Sequence, residues 1–379
     1  MKRFAGLVCA VAAIAFFASC SKDKESGTLS FDSPAVFLSA GQTVKVGFKA
    51  VNLQNLSVTN KPTGWVEPAI DLAAQTLTIT APVSFEDDEA KTGSLVLAGS
   101  PKGGSSVSAT LFVGVVNSED LSGKPANSYI VSKPETNYLI SSMFRGDLMA
   151  VLPASVDVVW QSKSGLIQYA ELREDGMVSF YVGADSDDEK KIKEGNAVIG
   201  AYGAGGTLMW SWHIWAVNYD PEASAVDFNG LKMMDRNLGA ETLYAASTSS
   251  RGFYYEWGRK DPFPWPDAEI VYGEGVAHDS FGPFYLGDTA ADATIAWATA
   301  HPTTLMGEVA GPQDSWLATP APYLWGNGSD GHTATQRSLK SIYDPCPPGW
   351  CVPPSEAWGL EDFQLLNFDN DSGWYIRMN

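Results

Sequence analysis

The segment Leu208-Met209-Trp210-Ser211-Trp212-His213-Ile214-Trp215 constrains the fold more than any other stretch of the chain. In a strand, successive side chains point to opposite faces, so Trp210, Trp212 and Ile214 share one side and Ser211, His213 and Trp215 the other. Bulk on both sides needs cover on both, which places such a strand at the centre of its sheet or beneath another layer. His213 is therefore expected as a hydrogen-bonded core or interface residue. It has no neighbours in the sequence that suit a metal ligand or a catalytic base.

Period-two runs surround this strand. Tyr129-Ile130-Val131, Val156-Asp157-Val158-Val159-Trp160, Val178-Ser179-Phe180-Tyr181-Val182 and Asn196-Ala197-Val198-Ile199-Gly200 read as strands of a β-sandwich module over residues 118–220. Gly203-Ala204-Gly205-Gly206 reads as a hairpin turn and the charged stretch 185–194 as a loop. Residues 28–116 repeat the pattern. Val44, Val46 and Phe48 share a face, and Leu77-Thr78-Ile79, Leu95-Val96-Leu97 and residues 110–115 follow, with turn signals at 40–42, 61–64 and 101–104. An Ig-like β-sandwich is expected there, with Trp65 as a core or rim aromatic and the acid run Glu86-Asp87-Asp88-Glu89 as a solvated loop.

Composition narrows the function classes. The 379 residues hold 25 Lys and Arg against 44 Asp and Glu, a formal charge of −19, which excludes a nucleic-acid footprint and a polybasic membrane patch. Four Cys and four His exclude a disulfide scaffold and argue against a multi-metal enzyme. No cofactor or metal is expected.

The N-terminus carries Lys2 and Arg3, an apolar run over residues 4–18, then Ser19-Cys20. The run is too short for a transmembrane helix, which needs about 20 residues, and reads as a secretory signal over residues 1–19. Phe17-Ala18-Ser19-Cys20 resembles the lipobox of bacterial lipoproteins, with Phe17 where Leu is usual. The resemblance implies lipidation of Cys20, a polar tether over residues 20–27 and a membrane partner reached through the lipid. Cys9 then leaves with the signal, so Cys346 and Cys351 are the cysteines left to pair. The tight Pro347-Pro348-Gly349-Trp350 spacer leaves a disulfide and two thiols both open.

Residues 221–379 differ. Of 13 Trp, only Trp65 and Trp160 precede residue 200, and His213, His278, His301 and His332 all follow it. Regular periodicity is poor, and short helices are expected only at 292–300 and 355–366. No nucleophile elbow, H-E-x-x-H site or phosphate loop occurs. Glu256, Asp261, Asp235 and Glu241 could supply a glycosidase carboxylate pair. The stronger reading of Asp235-Arg236-Asn237 and Arg259-Lys260-Asp261 is that they hold loops through buried ion pairs. Asp369-Asn370-Asp371-Ser372-Gly373 does not match the calcium loop and reads as a turn, as does Asn327-Gly328-Ser329-Asp330-Gly331. Aromatic faces can stack on sugar rings. Trp265, between Pro264 and Pro266, is the first candidate for an exposed platform, with Trp316 and Trp325 next.

An ordered set of motifs carries a family resemblance. It comprises Met234-Asp235-Arg236-Asn237-Leu238-Gly239-Ala240, then Gly252-Phe253-Tyr254-Tyr255-Glu256-Trp257-Gly258-Arg259-Lys260-Asp261-Pro262-Phe263. Ala300-His301-Pro302-Thr303-Thr304, Leu324-Trp325-Gly326-Asn327 and Tyr343-Asp344-Pro345-Cys346-Pro347-Pro348-Gly349-Trp350 complete it. Over residues 126–354 the chain resembles the Fibrobacter-type major paralogous domain of Bacteroidetes surface lipoproteins and fimbrillin-associated proteins. The period-two runs give a mainly β chain with two β-sandwich (Ig-like) modules, and the resemblance implies that an α+β, C-type-lectin-like domain follows over 221–379. It also implies an outer-membrane, surface-exposed adhesin or binding protein, with a glycan or a pilin-type surface protein as partner, in a fimbria-associated or tip role. The family pattern has Arg or His at the position of Cys351 and a later Cys strand, which this chain lacks. The resemblance therefore implies a shortened or truncated domain. The other class kept open is a glycan-active accessory enzyme with paired carboxylates in the last domain.

Overall fold

The computed structural model describes residues 26–84, 91–142, 151–173, 175–228, 231–265, 267–273, 293–306, 316–319, 321, 324–326, 340–353, 363–365 and 376–378. The expected signal, Cys20, the 86–89 acid run, the 327–331 and 369–373 turns, His278 and His332 lie outside them. The chain is mainly β and divides into two compact units, residues 1–118 and 119–379.

In the first unit, β1 (Thr28–Phe31), β3 (Thr43–Val51), β6 (Thr76–Thr80) and β5 (Ala69–Asp71) form one sheet in that order. The other sheet runs β2 (Ala35–Leu38), β8 (Val107–Val115), β7 (Thr92–Ser100), β4 (Gln54–Asn60). The β2–β8 pair is parallel. The alternation read from the sequence sets the inward faces: Val44, Val46 and Phe48 on β3, Leu77 and Ile79 on β6, Leu95 and Leu97 on β7, and Leu111 and Val113 on β8 are buried. Val44 lies opposite Ile79, and Leu95 opposite Leu111. Each such side chain contributes roughly 1.5–3 kcal/mol on burial. Trp65 is part of this core.

The second unit opens with β9 (Asn117–Asp120), which straddles the division. It continues through β10 (Ser128–Val131), β11 (Thr136–Ser141), β12 (Ser155–Gln161), β13 (Ile167–Leu172), β14 (Met177–Val182), β15 (Gly195–Tyr202) and β16 (Leu208–Ala216). One sheet has the order β13-β14-β11-β9. The other has β10-β16-β15-β12, extended at the β12 edge by a short strand, Val271–Tyr272, from the aromatic-rich part. Trp210, Trp212 and Ile214 of β16 pack with Tyr129, Tyr138, Ile140, Phe180 and Ile199 in one core. β16 is flanked by β10 and β15, the central placement its sequence requires. The Gly-rich segment at 203–206 makes the expected hairpin turn, with Gly203 N–H donating to Thr207 O at 2.9 Å.

The remaining elements are short. α1 (Pro221–Ser224) leads into β17 (Val226–Phe228) and β18 (Leu231–Met233). The Val271–Tyr272 strand is β19, followed by α2 (Ile295–Ala300), β20 (Phe363–Leu365) and β21 (Ile376–Met378). α2 fulfils the first helix expectation. Its N-cap is Thr294, whose hydroxyl accepts the Trp297 N–H at 3.1 Å. Of the second expectation, a helix over 355–366, residues 355–362 and 366 lie outside the described residues; the described part, Phe363–Leu365, is a strand paired antiparallel with Ile376–Met378. The Phe-Gln-Leu triplet fits a two-residue period as well as a helical one, and a partner strand decides between them. The division expected between residues 220 and 221 falls inside the second compact unit.

Candidate functional site

The outer face of β15 and β16 is the floor on which the aromatic-rich loops are built. Asn196 on β15 donates from Nδ2 to Gly239 O at 3.0 Å, so its Oδ1 is left to accept from His213 Nε2 at 2.9 Å. That fixes the tautomer: Nδ1 of His213 accepts from Ser128 Oγ at 3.2 Å. Burial alone pushes the His213 pKa down to about 3, so the ring is neutral at physiological pH. His213 is the hydrogen-bonded interface residue expected from the sequence. It is 2% exposed, which rules out contact with solvent-borne substrate in this arrangement.

One step along β16, Lys260 donates from Nζ to Ser211 O at 3.0 Å, to Asp261 Oδ1 at 2.6 Å and to Ser211 Oγ. Ser211 Oγ in turn donates to Asp261 Oδ1 at 2.6 Å. Burial pulls the Lys260 pKa down, and the Asp261 carboxylate opposes that shift. Nζ also sits 4.7 Å from the Trp210 ring centroid. Arg259 is buried as well. Its guanidinium donates to Glu256 Oε2 at 2.5 Å and to three carbonyls: Thr304 at 2.7 Å, His301 at 2.9 Å and Ala298 at 3.0 Å. The planar fork of Arg suits this multiple contact, where a Lys point charge would satisfy fewer acceptors. These bonds tie the 256–261 turn to the C-terminal end of α2, the loop-holding role that the sequence suggested.

Above this charged base, residues 254–263 form a small hairpin closed by Tyr254 N–H to Phe263 O at 3.0 Å and the reverse bond at 2.9 Å. The tip turns at Glu256-Trp257-Gly258-Arg259, with Arg259 N–H to Glu256 O at 2.9 Å. Gly258 has φ +89°, and a Cβ there would lie 2.7 Å from Leu324 Cβ, so the position needs both left-handed backbone and no side chain. Two indoles pin the same backbone: Trp316 Nε1 donates to Trp257 O at 2.7 Å and Trp325 Nε1 to Arg259 O at 2.8 Å. The Trp257 side chain is thereby directed outward and is 57% exposed. Its ring lies 4.8 Å from that of Trp325 at 50°. Beside it in the chain, Tyr254 is partly exposed and tilts against Trp265 at 4.0 Å, and Arg251 lies 5.0 Å over the Trp265 ring.

The three tryptophans singled out in the sequence fare differently. Trp316 is 7% exposed and belongs to a small core with Ala293, Ala298, Met306 and Leu317, so it presents no face to solvent. Trp265 is half-buried, its Nε1 held by Gly252 O at 2.9 Å and one face occupied by Tyr254. Trp325 is half-buried and serves as the partner of Trp257. The exposed member, Trp257, was not among them. The signal for it was its place next to Gly258, since a bulky residue at the tip of a tight turn has no core to enter.

The candidate acids are all engaged. Asp235 pairs with Arg236 at 3.0 Å, Glu241 with Lys163 at 2.9 Å, Glu256 with Arg259, and Asp261 with Lys260. Cys346 and Cys351 are both thiols, Cys346 buried and Cys351 partly exposed. Among the described residues, no group of three or more His, Cys, Asp or Glu is arranged to hold a metal.

No family model matches the chain, and no curated protein matches it in sequence. Solved structures with local likeness include the titin I-band fragment I67–I69, with 14% identity, 51% of this chain, 66% of that one and a TM-score of 0.18. The Ig1-2 module of the Drosophila receptor protein tyrosine phosphatase DLAR matches at 10% identity, 51% and 99% coverage, and TM-score 0.19. Mouse protocadherin PcdhgC3 EC1-3 matches at 11%, 50% and 67%, and 0.18. Scores of this size assign neither family nor function.

Proposed function

We propose that this chain is a lipid-anchored surface protein of the bacterial envelope that binds a glycan without chemical turnover, through the aromatic ledge of Trp257 and Trp325. The carrying observation is the outward, 57% exposed Trp257 ring set on backbone that Trp316, Trp325 and Arg259 immobilise. An exposed indole held by its surroundings offers a flat apolar face at little cost in conformational entropy, the property that makes Trp a frequent binding hot spot. The anchor is Cys20, and the resemblance to surface lipoproteins with a Fibrobacter-type, lectin-like domain supports the location and the adhesin role. The enzyme alternative has less support, because each of the four candidate acids already faces a cation.

A glycan array probed with the wild-type protein and with Trp257→Ala tests the reading. Expected is at least one glycan class bound by the wild type and weakened about tenfold or more by the substitution. The melting temperature should be unchanged, since the ring is outside the core. Binding that survives Trp257→Ala undiminished would remove the ledge as the site. Hydrolysis of a bound glycan would overturn the non-enzymatic reading.

A further inference from the structure

The segment 340–353 is organised around a single carboxylate. Asp344 is fully buried, and its Oδ1 accepts the Cys346 N–H while its Oδ2 accepts the Val352 N–H, each at 2.8 Å. Lys340 neutralises it at 2.6 Å and also donates to Cys346 O at 2.7 Å. Between the two clamped amides the chain reverses through Pro347-Pro348-Gly349-Trp350, closed by Trp350 N–H to Pro347 O at 3.1 Å. Pro348 and Gly349, with Gly349 at φ +85°, occupy the central positions of a type II turn. Cys346 and Cys351 are the residues immediately outside this turn, one on each side. A disulfide needs its two Cα atoms within about 4.4–6.8 Å and their side chains facing. The closed turn, and the Asp344 carboxylate that takes the Cys346 and Val352 amides, hold the two flanks of the turn close together.

We infer that Cys346 and Cys351 form an intramolecular disulfide when the protein meets a small-molecule disulfide such as glutathione disulfide. The order of events follows from exposure. Cys351 is the partly exposed thiol, and as thiolate it attacks one sulfur of the donor. The S–S bond of the donor breaks, one glutathione leaves as thiolate and takes a proton, and Cys351 is left as a mixed disulfide. Cys346, as thiolate, then attacks Cys351 Sγ and displaces the second glutathione, which is protonated in turn. Two S–H bonds and one S–S bond are exchanged for one S–S bond and two S–H bonds. The protein loses two electrons and the donor gains them. Burial first, and the Asp344 carboxylate second, push the Cys346 thiol well up from its ordinary range, so the closing step is the slower one. The product fastens a segment that already holds the sandwich: Asn127, just before β10, donates from Nδ2 to Ile342 O at 2.7 Å and to Asp344 O at 2.9 Å.

The test uses the full, unprocessed chain, which keeps the Cys9 and Cys20 thiols, incubated with glutathione disulfide, quenched with iodoacetamide and mapped by mass spectrometry without reduction. Expected at completion is one linked peptide joining Cys346 to Cys351. At early times a glutathione adduct should appear on Cys351 in excess over Cys346 by about tenfold. Cys346→Ser should stop the reaction at that adduct. Three results would overturn the inference: both thiols still alkylated at completion, a stable adduct on Cys351 in the wild type, or a link from either residue to Cys9 or Cys20.

Discussion

His213 gives the sharpest quantitative prediction, because a single physical cause sets its ionisation. Its neighbours are the neutral Ser128 and Asn196, with the Phe253 ring edge-on at 5.7 Å. Desolvation takes its pKa from the ordinary 6.5 to about 3. The unfolded chain thus binds a proton below about pH 6.5 that the folded chain refuses until about pH 3, so stability is lost as pH falls through that window. From those two values the loss is close to zero at about pH 7.5 and roughly 2 kcal/mol at about pH 5. Urea unfolding of the wild type and His213→Gln at both pH values isolates the effect. Other titrating groups are common to the two proteins and cancel. The substitution has its own cost, but that cost does not depend on His ionisation. Expected is a gap between wild type and variant that narrows by roughly 2 kcal/mol on going to about pH 5. A gap that stays constant across the two pH values would refute a neutral, desolvated His213.

Two further perturbations follow from the same reasoning. Glu171 on edge strand β13 has a buried carboxylate oxygen with no hydrogen-bond partner among the described residues, and burial raises its pKa to about 7. The folded chain therefore keeps a proton that the unfolded chain loses near the ordinary 4.5, and stability falls as pH rises from about 4.5 to 7. Glu171→Gln should stabilise by roughly 1–3 kcal/mol at about pH 8, after discount for partial exposure, and have little effect at about pH 4, read by urea midpoints. Gly258→Ala should cost about 2–4 kcal/mol, combining left-handed strain with the clash against Leu324, and a melting temperature within a degree or so of wild type would contradict that geometry.

What the sequence made legible was whatever repeats at short range. The alternation of β3 and of β16 fixes which side chains face inward, and the glycine cluster at 203–206 marks its own hairpin. The central place of β16 followed from bulk on both faces. Long-range closure was not legible. Phe363–Leu365 is a strand because Ile376–Met378 pairs with it, which no local pattern announces. In the sequence Trp316 reads as the platform candidate, and Trp257 is marked only by the Gly258 beside it. The first is drawn into a core with Ala298 and Met306 while the second is turned out by a glycine-tipped turn. The reach of Asp344 to the amides of both Cys346 and Val352 depends on a turn geometry that residue types only suggest.

The run Arg259-Lys260-Asp261 shows why charge in a sequence does not report exposure. Three consecutive ionisable residues would pass for a solvated loop by hydropathy, yet all three are buried. Arg259 faces Glu256 and the end of α2, Lys260 and Asp261 face each other over Ser211, and Lys340 with Asp344 repeats the arrangement nearby. Each set is internally neutral, as the cost of burying an unpaired charge demands. The formal charge of −19 therefore does not come from these buried sets. Such an acidic balance repels anionic polymers at low ionic strength, whereas stacking on an indole face needs no charge. On the proposed reading, the ledge at Trp257 and Trp325 should accordingly favour a neutral sugar ring over a uronic or sulfated one.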